Sequence, residues 1–145
     1  MPKIYINTDG GARGNPGPAG IGVVFYDENE VEIHSYKEFI GNTTNNQAEY
    51  RAILKALLIL EKSKWLKNNN NPDSEVVCRL DSQLVVEQIN GNYKVKNEGI
   101  SILLDSLNKI KCKFHIKLIF TYVPREQNKR ADRLVNEALD EKCKK

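Results

Sequence analysis

The period of the apolar residues changes along this chain, and this change limits the possible folds more than any other feature. Three strand-like segments occupy residues 3–9, 20–27 and 31–40, and the last two are separated by only a short polar turn. Strands joined in this way usually pair as an antiparallel meander. A helical period appears only after them, so the sequence predicts three strands followed by helices.

The first helix is predicted both from its start and from its apolar face. Thr44 and Gln47 have the Thr-x-x-Gln spacing of a capping box, which places the helix start near residue 45. Apolar residues then recur at the spacing of one helix face. These residues are Tyr50, Ile53, Leu54, Leu57 and Leu58.

The remaining segments extend this pattern to an α/β fold. A polar loop is predicted at 67–74. The elements expected after it are a strand at 75–81, a short helix from Ser82 that ends near Gly91, a helix through 100–110, a strand at 114–123 and a helix through 131–138. The order βββαβααβα predicts a five-stranded mixed sheet flanked by helices on both faces. Without an internal repeat or a linker, we expect one domain over residues 1–145.

Composition limits the location and the partners. The sequence has no apolar run near the ~18 residues of a membrane span and no signal-peptide apolar region at its N-terminus, so a cytoplasmic location without membrane contact is expected. Cys78, Cys112 and Cys143 lack ligand-like spacing and are expected to be reduced thiols. A net charge of +3 permits a polyanionic partner without requiring one. No protein partner is evident, and a monomer is expected.

Four acidic residues occupy positions where a solvated acid is less expected. Asp9 and Asp81 end two predicted strands, while Glu49 and Asp132 lie early in two predicted helices beside apolar positions. Strand ends and neighbouring helix starts converge at one rim of an α/β sheet, so the four carboxylates are expected to meet. Their repulsion would raise some of their pKa values, and a divalent cation would relieve it. A ligand set of oxygens alone favours Mg²⁺ or Mn²⁺ over zinc.

Four segments that carry these acids resemble, in this order, the motif blocks of type 1 ribonuclease H. They are TDGGARGNPGPAGIG, TTNNQAEYRAILKAL, LDSQLVVEQINGNYKV and YVPREQNKRADRLVNEA, and the resemblance extends from about residue 3 to 140. It implies a ribonuclease H-like fold and endonucleolytic cleavage of the RNA strand of RNA–DNA hybrids. Two Mg²⁺ ions, with Mn²⁺ as a substitute, would serve a reaction that leaves 5′-phosphate and 3′-hydroxyl ends.

The resemblance assigns catalytic and metal-binding roles to the same four acids. Asp9 would bridge both ions, Glu49 and Asp81 would hold the first ion, and Asp132 would hold the second. Ser82 follows Asp81, but no histidine accompanies it in its motif. We therefore expect Ser82 to cap a helix rather than to act as a nucleophile.

Residues for substrate binding are expected around the glycine-rich segment and the start of the first helix. Small residues there would expose backbone groups to a ribose, whose 2′-hydroxyl distinguishes RNA from DNA. By resemblance, amide side chains would face the minor groove and Thr44 would seat a DNA-strand phosphate; helix capping alone is the alternative for Thr44 and Asn45. The expected contacts are Gly10, Gly11, Ala12, Asn15, Thr44, Asn45, Asn46 and Gln47.

Two segments depart from the commonest pattern of the family. Many members carry a histidine between the last strand and the last helix, whereas VPREQNKRAD carries Arg125 and resembles the branch with a PRE-x-N pattern. Arginine stays charged near neutrality, so Arg125 could bind a phosphate or assist product release but could not shuttle a proton. The alternative is a solvated loop cation. His34 and His115 are predicted to lie within strands.

Residues 90–99 lack the basic, tryptophan-bearing extension of some relatives. Tyr93, Lys94 and Lys96 are the remaining candidates for contact with the DNA strand, and ordinary solvated residues are the alternative.

Retention of an acid at all four positions favours an enzyme over a noncatalytic hybrid-binding module. The third possibility is a nuclease of the same superfamily that acts on other nucleic-acid structures. The amides that are expected to bind the 2′-hydroxyl argue against it.

Overall fold

Five strands form one mixed sheet in the order β3-β2-β1-β4-β5. The computed structural model describes the backbone of residues 1–143 and the side chains of residues 1–142. Strands β1, β2 and β3 pair antiparallel, as the meander predicted, while β4 lies parallel to both β1 and β5. The strands are β1 (Lys3–Ala12), β2 (Gly17–Tyr26), β3 (Glu32–Thr43), β4 (Glu75–Leu80) and β5 (Lys117–Tyr122).

Helices cover both faces of this sheet, and two glycines allow them to approach closely. A Cβ added at Gly10 of β1 would overlap the backbone of Ala48, and one added at Gly22 of β2 would overlap the backbone of Ala131. These two backbones belong to α1 and α5, which therefore pack on opposite faces. The helices are α1 (Asn45–Glu61), α2 (Lys64–Asn69), α3 (Gln83–Ile89), α4 (Glu98–Lys111) and α5 (Lys129–Cys143), with a 3₁₀ turn at Arg125–Gln127.

The larger apolar core lies between the sheet and helices α1, α3 and α4. Tyr50, Ile53 and Leu57 of the predicted helix face are buried in it, and Leu54 packs against it. Leu58, which the pattern placed on the same face, is at the margin and is 39% exposed. A smaller cluster under α5 is formed by Val24, Ala131 and Leu134.

Several boundaries differ from those expected from the sequence: β2 begins at Gly17 rather than at residue 20, and β3 continues to Thr43 rather than ending at residue 40. Strand β1 runs three residues past Asp9, because its pairing with β2 continues to Ala12. Residues 67–69 belong to α2 rather than to a loop, because Ser63 caps this helix and Leu66 anchors it in the core. His115 precedes β5, since its N–H donates to Asn70 Oδ1 (2.7 Å) rather than to a strand. His34 lies within β3 as predicted.

The predicted limits of α3 are confirmed. The Ser82 hydroxyl accepts from the N–H of Val85 at the helix start, and Gly91 has a φ of +82° just beyond the helix end. Cys78 is buried and Cys112 is exposed, both as free thiols, while the side chain of Cys143 lies outside the described residues. Within residues 1–143, every helix is too short or too polar to cross a membrane.

Candidate active site

The four acids predicted from the sequence meet at one edge of the sheet. Asp9 follows Thr8, the last residue of β1 that pairs with β4, and Asp81 directly follows β4. Since β1 and β4 are parallel neighbours, both acids leave the sheet at the same edge. Glu49 comes from the first turns of α1 and Asp132 from the first turn of α5, and all four line a cavity of about 330 Å³.

Three of these carboxylates form a close group. Asp9, Glu49 and Asp81 each place an oxygen within 4.8 Å of the others. Asp132 lies outside this group of three, yet it is near enough to Asp9 to raise the pKa of that carboxyl group. Arg125 stands beside Asp132, with Nη2 3.6 Å from Oδ1, and its side chain is 81% exposed.

Burial makes ionisation of this group unfavourable. It raises the pKa of Asp9 to about 7, with the charge of Asp81 as the second cause. The pKa of Glu49 lies well above its usual value, first through burial and then through the charge of Asp9. Burial also raises the pKa of Asp81, and a hydrogen bond from Asn128 opposes this shift. Without a cation, the folded protein therefore holds protons here that an unfolded chain would release near pH 4.

The donor set fits a divalent cation. Glu49 Oε2 is buried and has no hydrogen-bond partner among residues 1–142, so one oxygen of the group is left to accept a cation or a hydrogen bond. All the converging ligand atoms are carboxylate oxygens, which hard divalent cations prefer. A cation would also relieve the repulsion that, after burial, contributes to the raised pKa values of Asp9 and Glu49. The acids at this edge are thus suited to hold divalent metal.

The backbone beside the acids differs from the expected exposed loop. Beyond Thr8, β4 no longer covers the edge of β1, and α1 takes its place. Gly10 N–H donates to Glu49 Oε1 at 3.4 Å, and Ala12 N–H donates to Asn45 Oδ1 at 2.8 Å. The expectation that the amides of Gly10 and Ala12 are exposed is therefore wrong, because internal acceptors use both.

Gly11 keeps a direct connection to the site. Both glycines line the cavity with the acids, but Gly11 is only half-buried whereas Gly10 is buried. Gly10 itself permits the approach of α1 that places Glu49 opposite Asp9. Gly10 is thus explained by the packing of α1, and Gly11 by access to the cavity.

A second cavity brings together most of the predicted substrate-binding side chains. Its volume is about 360 Å³, and it lies at the start of α1. Asn45 N–H donates to Asn15 Oδ1 at 3.0 Å, which ties the β1–β2 hairpin to α1. The residues lining it are Asn15, Thr44, Asn45, Asn46, Gln47, Asn97 and Ile100.

The capping box predicted at this helix start is only half formed. Thr44 Oγ1 accepts from Gln47 N–H at 3.2 Å, as predicted. The Gln47 side chain accepts from the hydroxyl of Thr43 instead of returning to the backbone of Thr44. Thr44 therefore caps α1 while it also faces the second cavity.

Tyr93, Lys94 and Lys96 stand apart from both cavities. They are exposed on the segment between α3 and α4, and none of them lines the acidic or the amide-lined cavity. Val95 between them packs against the large core, which anchors the segment. The three side chains are free to meet a ligand that extends beyond the cavities.

Two asparagines at these sites were absent from the predicted set. Asn128 is fully buried and donates to Asp81 Oδ2 at 3.1 Å. Its signal was available, since it is the asparagine of the PRE-x-N pattern. Asn97 caps α4 through a bond from Ile100 N–H (3.0 Å) and lines the second cavity. Its place there depends on how α4 packs, which no local pattern gives.

Comparison with known proteins gives a consistent result. The sequence model of the family described as "Reverse transcriptase-like" matches residues 7–138. A bifunctional protein of Mycobacterium tuberculosis is 38% identical over 95% of this chain, and the ribonuclease HI of Halobacterium salinarum is 34% identical over 96%. This chain spans 36% of the length of the first protein and 65% of the length of the second.

Solved structures agree with these relatives. LC11-RNase H1, from compost, is 46% identical, with a TM-score of 0.87 over 96% of this chain and 98% of that one, and its structure contains an RNA/DNA hybrid. The crystal structure of RNase H1 from Halobacterium salinarum has a TM-score of 0.83 over 96% of this chain and 98% of that one, at 33% identity. The predicted five-stranded mixed sheet with flanking helices is thereby confirmed.

Proposed function

This chain belongs to the type 1 ribonuclease H family, and from that premise we propose that it is an endonuclease for the RNA strand of RNA–DNA hybrids. The products would carry 5′-phosphate and 3′-hydroxyl ends. The observation that carries the proposal is the group of three carboxylates within 4.8 Å, with a fourth acid in the same cavity. A noncatalytic binding module would have no need for such a costly group of acids.

The proposed cofactors are two Mg²⁺ ions, for which Mn²⁺ can substitute. Asp9 would hold both ions, with Glu49 and Asp81 at the first and Asp132 at the second. When bound, such ions stabilise the charge that develops on a phosphate and supply a water of lowered pKa. Support comes from the unpartnered oxygen of Glu49 and from the raised pKa values of the buried acids.

Arg125 is proposed to hold a phosphate at the entrance of the acidic cavity. Its guanidinium is exposed and only loosely paired, at 3.6 Å from Asp132. A loose, exposed ion pair contributes little stability, so Arg125 can exchange Asp132 for a phosphate oxygen at small cost. Its charge is fixed near neutral pH, which limits it to binding and excludes proton transfer.

The amide-lined second cavity is proposed to bind the hybrid. Asn15, Asn45, Asn46 and Gln47 would contact the minor groove and the ribose 2′-hydroxyls, together with the backbone of Gly11. Thr44 would seat a DNA-strand phosphate.

The exposed segment between α3 and α4 would extend this surface. Tyr93, Lys94 and Lys96 would contact the DNA strand beyond it. We further propose that the domain acts as a cytoplasmic monomer.

One experiment separates this function from its rivals. End-labelled RNA–DNA hybrid, RNA duplex and DNA duplex are incubated with the protein in Mg²⁺, in Mn²⁺ or in chelator. We expect cleavage of the RNA strand of the hybrid in either cation and none in chelator. Binding of the hybrid without cleavage would identify a noncatalytic module, and cleavage of DNA duplex would identify another nuclease of the superfamily.

A further inference from the structure

Asn128 is a fully buried polar residue in the loop that leads into α5. Its exposed fraction is 0%, and it lies between the 3₁₀ turn and the helix that carries Asp132. Buried amide side chains are normally retained only where their hydrogen bonds are made. The partners of Asn128 therefore indicate what this residue does.

Both protons of its side-chain amide are used beside the acids. Asn128 Nδ2 donates to the carbonyl oxygen of Thr8 at 2.8 Å and to Asp81 Oδ2 at 3.1 Å. Thr8 is the last β1 residue paired with β4 and directly precedes Asp9. The backbone oxygen of Asn128 accepts from Asp132 N–H at 3.1 Å. One residue thus connects the segments that hold three of the four acids.

Ordinary helix capping does not account for this side chain. A capping asparagine accepts, through its side-chain oxygen, an N–H bond from the first turn of the helix. Asn128 Oδ1 is buried and has no hydrogen-bond partner among the described residues. The side chain is therefore oriented by its two donor bonds to Thr8 and Asp81. These bonds offset the cost of leaving its buried oxygen without a hydrogen bond.

The amide also has a suitable charge for this position. A lysine or arginine could donate to Asp81, but its positive charge would compete with cations for the carboxylates. An uncharged group that donates two protons fixes Asp81 and leaves the charge of the acids available. Hydrogen bonds from such outer residues commonly orient metal ligands.

We propose that Asn128 is a positioning residue, which fixes the Asp81 carboxylate relative to Asp9 at the separation that bound divalent cations require. The inference rests on the proposed function, in which these acids hold the cations for cleavage. Asn128 itself contacts neither cation nor substrate in this proposal. Its effect is transmitted through the two hydrogen bonds of its amide.

Cation binding without substrate tests the proposal. Mn²⁺ is titrated by calorimetry into the wild type, Asn128→Ala and Asn128→Ser, after circular dichroism has verified the fold of each. We expect the dissociation constant for Mn²⁺ to rise about 10- to 100-fold in Asn128→Ala, and less in Asn128→Ser, which keeps one donor. On RNA–DNA hybrid, kcat should fall over a similar range while KM remains within about twofold, since substrate contacts are unchanged.

A matched control is available in the same fold. Asn90 Nδ2 donates to the carbonyl oxygen of Phe120 at 3.2 Å, and neither residue lines the acidic cavity, so Asn90→Ala removes a similar amide-to-backbone bond outside the group of acids. Asn90→Ala should leave Mn²⁺ affinity at the wild-type value. If Asn128→Ala does not fold, Asn128→Ser decides the question by the same titration.

The outcomes separate this inference from the proposed function. Wild-type Mn²⁺ affinity in folded Asn128 variants would overturn the positioning role, even if the wild type cleaves hybrid. Weakened Mn²⁺ binding in the variants, with a wild type that cleaves no hybrid, would support the positioning role and reject the proposed function.

Discussion

Replacement of Asp9 by asparagine should stabilise the cation-free protein at neutral and alkaline pH. The folded protein holds the pKa of Asp9 at about 7, against a usual value of 3.8, because the group is buried beside Asp81. Between these two values, the folded state binds the proton more tightly than the unfolded state. Stability contributed by this group is therefore present below about pH 4 and is lost as pH rises through about 7.

The size of the effect follows from the shift. A shift of about three pKa units corresponds to about 4 kcal/mol at 1.36 kcal/mol per unit. Since Glu49 and Asp81 share the protons, the part removed with Asp9 alone is smaller, at about 1–3 kcal/mol at pH 8. The side-chain amide introduced by Asp9→Asn resembles a protonated aspartic acid, so the difference between variant and wild type should vanish near pH 4.

Urea unfolding in chelator measures this difference at pH 4, 6 and 8. Trp65 is the sole tryptophan of the sequence and packs against the core, so its fluorescence reports unfolding. Added Mg²⁺ should stabilise the wild type at pH 8 and leave Asp9→Asn nearly unchanged. Asp105→Asn, on the exposed face of α4, is the control and should show no pH-dependent gain. An Asp9→Asn variant no more stable than wild type at pH 8 in chelator would refute the raised pKa that burial and the charge of Asp81 give to Asp9.

Three further substitutions test the remaining roles. Replacement of both Asn15 and Asn46 by alanine should reduce the transition-state stabilisation for hybrid cleavage by roughly 1–3 kcal/mol, while cation binding measured by calorimetry stays unchanged. Unchanged cleavage would show that other residues recognise the 2′-hydroxyl. Arg125→Ala should lower turnover about 10- to 100-fold, which corresponds to about 1.4–2.7 kcal/mol of barrier. Arg125→Lys should recover part of this loss, and both variants should keep the pH–rate profile of the wild type from pH 6 to 9. An alanine variant as fast as wild type would show that Arg125 is only a solvated cation. Ser82→Ala should lower the free energy of unfolding by about 1 kcal/mol without changing turnover per folded molecule, and a loss of turnover would contradict a purely capping role.

The main parts of the fold and the acids were predictable because local sequence controls them. Asp9 and Asp81 each follow the last residue of the parallel pairing between β1 and β4, so their meeting follows from the order of elements. The start of α1 was equally predictable, since Thr44 caps it through a local bond. Both inferences need only short-range pattern and topology.

The parts that were missed depend on how segments of different length meet. Gly10 and Ala12 were expected to expose their amides, but β4 ends at the level of Thr8 and α1 side chains cover the edge that remains. The helix at residues 64–69 is too short to show a period. Asn128 reaches Thr8 and Asp81 only because its loop folds back onto β1, which spacing along the chain does not reveal.

The role of the four acids is decided by one measurement, the rate at which Asp9→Asn protein of verified fold cleaves the RNA strand of a hybrid in saturating Mg²⁺. Loss of the ligand that is proposed to hold both ions should raise the barrier by several kcal/mol, which is on the order of a thousandfold in rate. We therefore predict no detectable turnover. A variant that retains more than about a tenth of the wild-type rate, a barrier change under about 1.4 kcal/mol, would remove Asp9 from the reaction.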